Sequence, residues 1–244
     1  MSHIEFLGPP GAGKSSIYQK VIKSENIYGG VDNDAIRRYL LNYICTKYNS
    51  IYNLLPEYIQ NLCEDYYIKH KIKSKVFSEF LYQHPEYIDI LRDILTDADY
   101  EPEGLFRMYK ICAEEYQLGF STVENEEILC LDEGFAQRAV ALMWRFCSHS
   151  FNLAEYYDSI PTPKLLIYVC VPAKECVRRQ VERNRLTIAK DWTSADLLAA
   201  QKEIIQICRK VREQAKNHTK VITIRNTGSV DSAVDDVISE INSA

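Results

Sequence analysis

The chain has 244 residues, 46% of them hydrophobic, and a formal net charge of −5. That length can bury a substantial core as one α/β domain with an insert. The acidic balance speaks against a general nucleic-acid or anionic-membrane binder, since either would favour a basic surface. Eight cysteines are widely scattered, with no C-x-x-C pair, and read as reduced, buried small hydrophobes of a cytoplasmic protein. No apolar run approaches transmembrane length, and a strand starting at the third residue is expected to leave no room for a signal peptide.

His3-Ile4-Glu5-Phe6-Leu7 reads as a short strand. It runs into Gly8-Pro9-Pro10-Gly11-Ala12-Gly13-Lys14-Ser15, which fits G-x-x-x-x-G-K-[ST]. Gly8, Gly11 and Gly13 let the backbone turn with no Cβ in the way, so that consecutive N–H groups, with those of Ala12 and Ser16, face anionic oxygens. Lys14 adds a point charge for the β- and γ-phosphates, and the Ser15 hydroxyl is placed to ligate Mg²⁺. From Ser16 to Lys23 the apolar residues fall at helical spacing, so strand, glycine loop and helix follow in the order the motif requires.

Glu25 to Val31 reads as a turn and a short second strand, with Asp32-Asn33-Asp34 at its end as the N-cap of a helix. Asp34 and Arg37 lie three apart on one helix face, where Asp34 would accept a substrate proton and Arg37 would anchor a substrate anion. The alternative is a plain cap and a solvated arginine. From there to about residue 125 the pattern is helical, over Pro56–Gln83, Pro85–Leu95 and Pro102–Phe120, which is more helix than one crossover needs. Residues 36–127 therefore read as a helical subdomain and the expected acceptor-binding region, inserted in a core of residues 1–35 and 128–244.

Strand character returns at Ile128–Leu131, ending in Asp132-Glu133-Gly134, with a helix from Ala136 to Phe146. Four apolar residues ending in Asp132 match a second metal-site signature, a carboxylate that holds Mg²⁺ directly or through water. Glu133 is a candidate base or metal-shell partner, and Arg138, one turn on, a candidate for the acceptor side. Lys164–Val171 is a near-continuous apolar run suited to a central parallel strand. The helix after it carries Arg179, Arg183 and Arg185 into an irregular segment. There, as a lid near 178–193, they could close over a triphosphate and supply charge to the transition state. A helix over Ser194–Lys216, a strand at Val221–Ile224 and a helix over Val230–Ile241 complete the chain. Alternating strands and helices predict a parallel sheet covered on both faces.

Taken together these residues resemble the P-loop small-molecule kinases, the superfamily of adenylate, thymidylate, deoxynucleoside, shikimate and adenylylsulfate kinases. Gly8–Ser15 is similar to their Walker A loop, Asp32-Asn33-Asp34-Ala35-Ile36-Arg37 to the D-x-D-x-x-R of adenylylsulfate kinases, and Arg179-x-x-x-Arg183-x-Arg185 to the lid of deoxynucleoside kinases. The resemblance implies a P-loop NTPase-type α/β fold, a parallel five-stranded sheet of order 2-3-1-4-5. It also implies ATP as co-substrate with Mg²⁺, and Asn226 and Thr227 on the adenine side. Deoxynucleoside kinases place an arginine directly after the third-strand carboxylate, and Asp132-Glu133-Gly134 does not.

About a dozen of the seventeen tyrosines fall between Tyr39 and Tyr116. They suit stacking on a nucleoside, core packing or an oligomer (homodimer) face. The lysines from Lys69 to Lys75 read as a solvated helix face. The expected activity is transfer of the γ-phosphoryl group of ATP to a small metabolite, with no nucleic-acid or membrane partner. The alternative is a nucleotide-hydrolysing switch or binding module, which for guanine should carry an N-K-x-D that the chain lacks.

Overall fold

In the computed structural model, β1 (His3–Leu7), β2 (Ile27–Gly29), β3 (Ile128–Leu131), β4 (Leu165–Cys170) and β5 (Lys220–Arg225) form one sheet in the order β2-β3-β1-β4-β5. Every pairing is parallel. The structure describes residues 3–24, 26–29, 39, 56, 59, 66, 72–96, 102–123, 127–145, 151–183 and 193–243. Asp32, Asp34, Arg37 and Arg185 lie outside the described residues. The described helices are α1 (Lys14–Val21), α2 (Lys73–Gln83), α3 (Glu86–Thr96), α4 (Pro102–Thr122), α5 (Phe135–Arg145), α6 (Leu153–Asp158), α7 (Ala173–Glu182), α8 (Ser194–Ala215) and α9 (Val230–Asn242).

Strand alternation divides the core in two. On one face, Ile4, Phe6, Cys130, Ile167 and Val169 pack with Ile17 and Val21 of α1 and Ala233, Val234 and Val237 of α9. On the other, Leu7, Leu129, Leu131, Leu166 and Tyr168 meet α5, α6 and α8, together with Phe80, Tyr87, Tyr109 and Tyr116 from α2, α3 and α4. The helices of the 36–127 region thus share a core with the sheet. Of the tyrosines there, Tyr87, Tyr109 and Tyr116 are buried in that core, whereas Tyr82 on α2 is 89% exposed. All five described cysteines (Cys112, Cys130, Cys170, Cys176, Cys208) are free thiols, and only Cys170 is incompletely buried. Among the described residues no helix is long and apolar enough to cross a membrane.

This core makes a prediction for alkaline pH. Burial raises Tyr116, Tyr168 and Cys208 to about 12, and Cys176 to about 11. It pushes Tyr87, Tyr109 and Tyr156 well above their ordinary value too. The unfolded chain releases the same protons near its ordinary values of 9.0 and 10.0. Between the unfolded and folded values the native state binds more protons, so stability falls as pH rises. Lys14, which burial lowers from 10.5, works in the opposite direction as a single group. The thermal midpoint, followed by circular dichroism, is expected to be level through neutral pH and to drop steadily above the cysteine and tyrosine values.

Candidate active site

The C-terminal ends of parallel strands leave their loops on one edge of the sheet, and the site forms there. Leu7 ends β1 buried, and the chain turns at once through Gly8–Gly13 into α1. Gly11 and Gly13 have φ of 81° and 95°. A Cβ on Gly13 would meet the Asn226 side-chain nitrogen at 2.2 Å, and one on Gly11 would meet the Cys176 carbonyl oxygen at 2.4 Å. Both positions combine left-handed backbone with close approach, which only glycine accommodates.

Four carbonyls of this loop, those of Gly8, Pro9, Pro10 and Ala12, are occupied. Lys14 Nζ donates to Gly8 O at 2.7 Å and Pro9 O at 3.4 Å. Pro10 O accepts from the buried side chains of Gln180 (3.2 Å) and Gln201 (3.0 Å), which are themselves joined at 3.1 Å. Ala12 O accepts from Asn226 Nδ2 at 2.8 Å and from Arg179 at 3.4 Å. Of its amides, Gly8 N–H is donated to Gln137 Oε1 and Ala12 N–H to Pro9 O, each at 3.1 Å. Helix α1 begins at Lys14 with no side-chain cap, so the first N–H groups of its opening turn have no intrahelical acceptor and carry the positive end of its dipole. Together these features make the loop a candidate anion cradle.

Strand β3 lies beside β1 and delivers Asp132 and Glu133 next to this cradle. Burial raises the Asp132 carboxyl above its usual range, partly offset by the Ser15 hydroxyl and the Lys14 ammonium. Its Oδ1 is buried and has no hydrogen-bond partner among the described residues. An orphaned carboxylate oxygen beside a serine hydroxyl is a pair of hard oxygen donors, the kind Mg²⁺ uses when phosphates and water complete its shell. Among the described residues no group of three or more His, Cys, Asp or Glu side chains gathers as an all-protein metal site.

Glu133 is exposed and forms an ion pair with Arg138 NH1 at 3.2 Å. The arginine absent from the D-E-G tripeptide therefore arrives from the first turn of α5. Arg138 is largely buried, its Nε lacks a partner among the described residues, and Cys112 and Glu115 of α4 contribute to holding its charge. Burial raises Glu115, with Arg138 pulling it down and Glu133, Glu114 and Asp132 adding to the rise. So α4 places a second carboxylate within reach of the same arginine.

Across the cradle, Arg179 Nε donates to Glu175 at 2.7 Å and Arg179 NH2 to Asn226 O at 3.0 Å, joining α7 to the turn after β5. Asn226 is buried, and its Oδ1 is unpartnered among the described residues. Arg183 caps the C-terminal end of α7 and is exposed, and Thr227 is exposed beside Asn226. The structure thus brings Gly8–Ser16, Asp132, Glu133, Arg138, Arg179 and Asn226 together, and leaves Arg183 at the rim.

Four contributors have no counterpart in the sequence reading: Gln137, whose Oε1 accepts the Gly8 N–H at 3.1 Å, Gln180, Gln201 and Glu115. Gln137 carries the only signal, as a polar residue in the turn after a strand exit.

The parallel sheet of this order, with a glycine loop between β1 and α1, is the P-loop NTPase fold, and it resembles that of the P-loop small-molecule kinases. No protein-family model matches the chain, and no curated protein matches it. Among solved structures it is similar to deoxyadenosine kinase from M. mycoides: with bound dCTP at 13% identity and a TM-score of 0.49, with products dCMP and a flexible dCDP at 13% and 0.48, and with bound dATP at 15% and 0.47. Each likeness covers 99% of this chain and 100% of the other. At such identities and scores it carries no argument about what this chain binds, and the fold rests on the sheet order and the loop.

Proposed function

We propose that the protein is a kinase that transfers the γ-phosphoryl group of ATP to a small metabolite, a nucleoside, nucleotide or sugar-like acceptor. One observation carries this reading: the turn after β3 and the first turn of α5 bring Asp132 and the Glu133–Arg138 pair to the strand ends that carry the glycine loop. A switch that only hydrolyses nucleotide has no use for a second, partly buried cation-carboxylate group facing the phosphates.

In this reading the loop from Gly8 to Ser16, with the Lys14 ammonium, holds the triphosphate, the Ala12 N–H already being donated to Pro9 O at 3.1 Å, and Asn226 and Thr227 lie on the adenine side. Mg²⁺, when bound, would be held by Ser15 and Asp132 and would neutralise charge on the β- and γ-phosphates. Arg138 anchors the acceptor. Asp34, with Asp32 and Arg37 nearby in sequence, orients the acceptor hydroxyl, and Glu133 is the second candidate for that proton. Arg179, Arg183 and Arg185 supply transition-state charge from the lid. The core of 1–35 and 128–244 and the acceptor-binding region of 36–127 remain the proposed division. Glu115, on α4, supports acceptor contacts from that region.

The test is ADP release from ATP·Mg²⁺ with pools of nucleosides, nucleotides and sugars. Acceptor-dependent turnover is expected. Slow hydrolysis indifferent to every pool and altered by a protein partner would replace the kinase with the switch. Arg138→Met should raise the acceptor KM by about ten- to a hundredfold, the worth of one hydrogen bond to a charged group. ATP affinity measured by calorimetry should be unchanged.

A further inference from the structure

We propose that Glu5 is a positioning residue of this site: it fixes the first turn of α5 and, through it, Gln137 on the phosphate loop and Arg138 on Glu133. The inference rests on the reading that the loop binds ATP.

Strand β1 alternates, with Ile4 and Phe6 in the core on the α1 and α9 side and Leu7 in the other core. His3 and Glu5 share the Leu7 face by the same period of two. Glu5 has no exposed surface and His3 only 3%. Glu5 Oε1 takes a hydrogen bond from His3 Nε2 at 3.1 Å, and the His3 ring meets Tyr116 edge-on at 5.0 Å. Burying such a pair is costly, and well-packed apolar residues of similar volume are often neutral or more stable in its place. Stability alone does not explain a carboxylate here.

Its other oxygen does have a use. Glu5 Oε2 accepts the Ala136 N–H at 2.9 Å. Ala136 is the second residue of α5, where amides have no partner within the helix and the dipole favours an anion. Gly134, between Glu133 and this helix, leaves room for the contact: a Cβ there would meet Glu5 Cδ at 2.3 Å. The glycine of the D-E-G tripeptide is therefore matched to Glu5. The two residues after Ala136 face the site. Gln137 Oε1 accepts the Gly8 N–H at 3.1 Å, and Arg138 pairs with Glu133 at 3.2 Å. Three consecutive residues of one turn are thus tied to β1, to the phosphate loop and to a site carboxylate. Releasing the first lets the other two shift together.

Three variants test this: Glu5→Gln, which keeps an oxygen for the Ala136 N–H; His3→Leu with Glu5→Leu; and Gly134→Ala, which displaces the carboxylate without removing it. The readouts are the thermal midpoint, ATP·Mg²⁺ affinity by calorimetry, steady-state kinetics and hydrogen exchange of the Gly8 amide by NMR. Glu5→Gln is expected to stay within about threefold of the parent, whereas the double variant and Gly134→Ala lose about tenfold or more in ATP affinity and kcat/KM, as displaced positioning groups do. The double variant should do so while still unfolding cooperatively, and Gly8 exchange should quicken in both. ATP affinity, turnover and Gly8 exchange all at parental values in a folded double variant would overturn the proposal. If that variant does not fold, Gly134→Ala decides on the same outcomes. A parent chain that binds no ATP overturns the kinase reading instead. Gly8 exchange needs no nucleotide, and then decides the role of Glu5 alone: faster exchange upholds it and unchanged exchange removes it.

Discussion

Lys14→Ala is expected to lower turnover by about a thousandfold, the upper range for removing one preorganised donor from developing charge. The side chain is 9% exposed, and its ammonium donates to the Gly8 and Pro9 carbonyls at the rim of the cradle. Burial lowers its pKa, while Cys208, Glu133, Asp132 and Cys176 pull the other way. A desolvated cation interacts strongly with a phosphate, and that strength is lost with the side chain. Stability should change little. Alanine removes the cost of a buried charge but also two hydrogen bonds, so a net change of about 1 kcal/mol would move the midpoint by only ~2–4 °C. The comparison requires initial rates of acceptor-dependent ADP release beside thermal unfolding of the same preparation. Retained turnover would remove the phosphate-loop assignment.

The second large effect belongs to Asp132→Asn, for which turnover should fall by about a hundredfold, with half-saturation shifting to higher Mg²⁺. The amide keeps the shape but removes the anion whose Oδ1 is unpartnered. The pH profile offers a sharper check. Burial holds the Asp132 carboxyl above 3.8 despite Ser15 and Lys14. In the proposed reading the ionised carboxylate of Asp132 holds Mg²⁺, so activity should fall as pH drops through that raised value. An amide at this position cannot titrate, so the acid limb that Asp132 causes should vanish from the variant's profile. An acid limb identical in both proteins would assign it to another group.

Much of this architecture is legible in the sequence because its signals are local. The glycine spacing of the loop, the apolar run of β4 and the apolar residues before Asp132 each declare themselves within eight residues. Helix α6 does not: its six residues are too few for a period, and only Asn152, which accepts from the Ala154 and Glu155 amides, marks its start. The buried polar supports are illegible for a different reason. Gln180 and Gln201 sit on helices where isolated glutamines ordinarily face solvent, and only the packing of α7 against α8 turns them toward Pro10. Arg138 is legible as a candidate one turn beyond Glu133, but its ion pair with Glu133 is not, because D-E-G itself carries no arginine and the partner comes from the next helical turn. Asp32, Asp34, Arg37 and Arg185 lie outside the described residues.

The Pro10 carbonyl, shared by two buried glutamines, bears on how quickly nucleotide can be captured. A flexible glycine-rich segment would have to be frozen on arrival of its ligand, and that ordering penalty would come out of the affinity. Here the segment's shape is already set by side chains from α7 and α8. Association should therefore resemble docking to a rigid socket, with a rate constant in the ordinary range of about 10⁵–10⁷ M⁻¹s⁻¹ or above rather than one slowed by rearrangement.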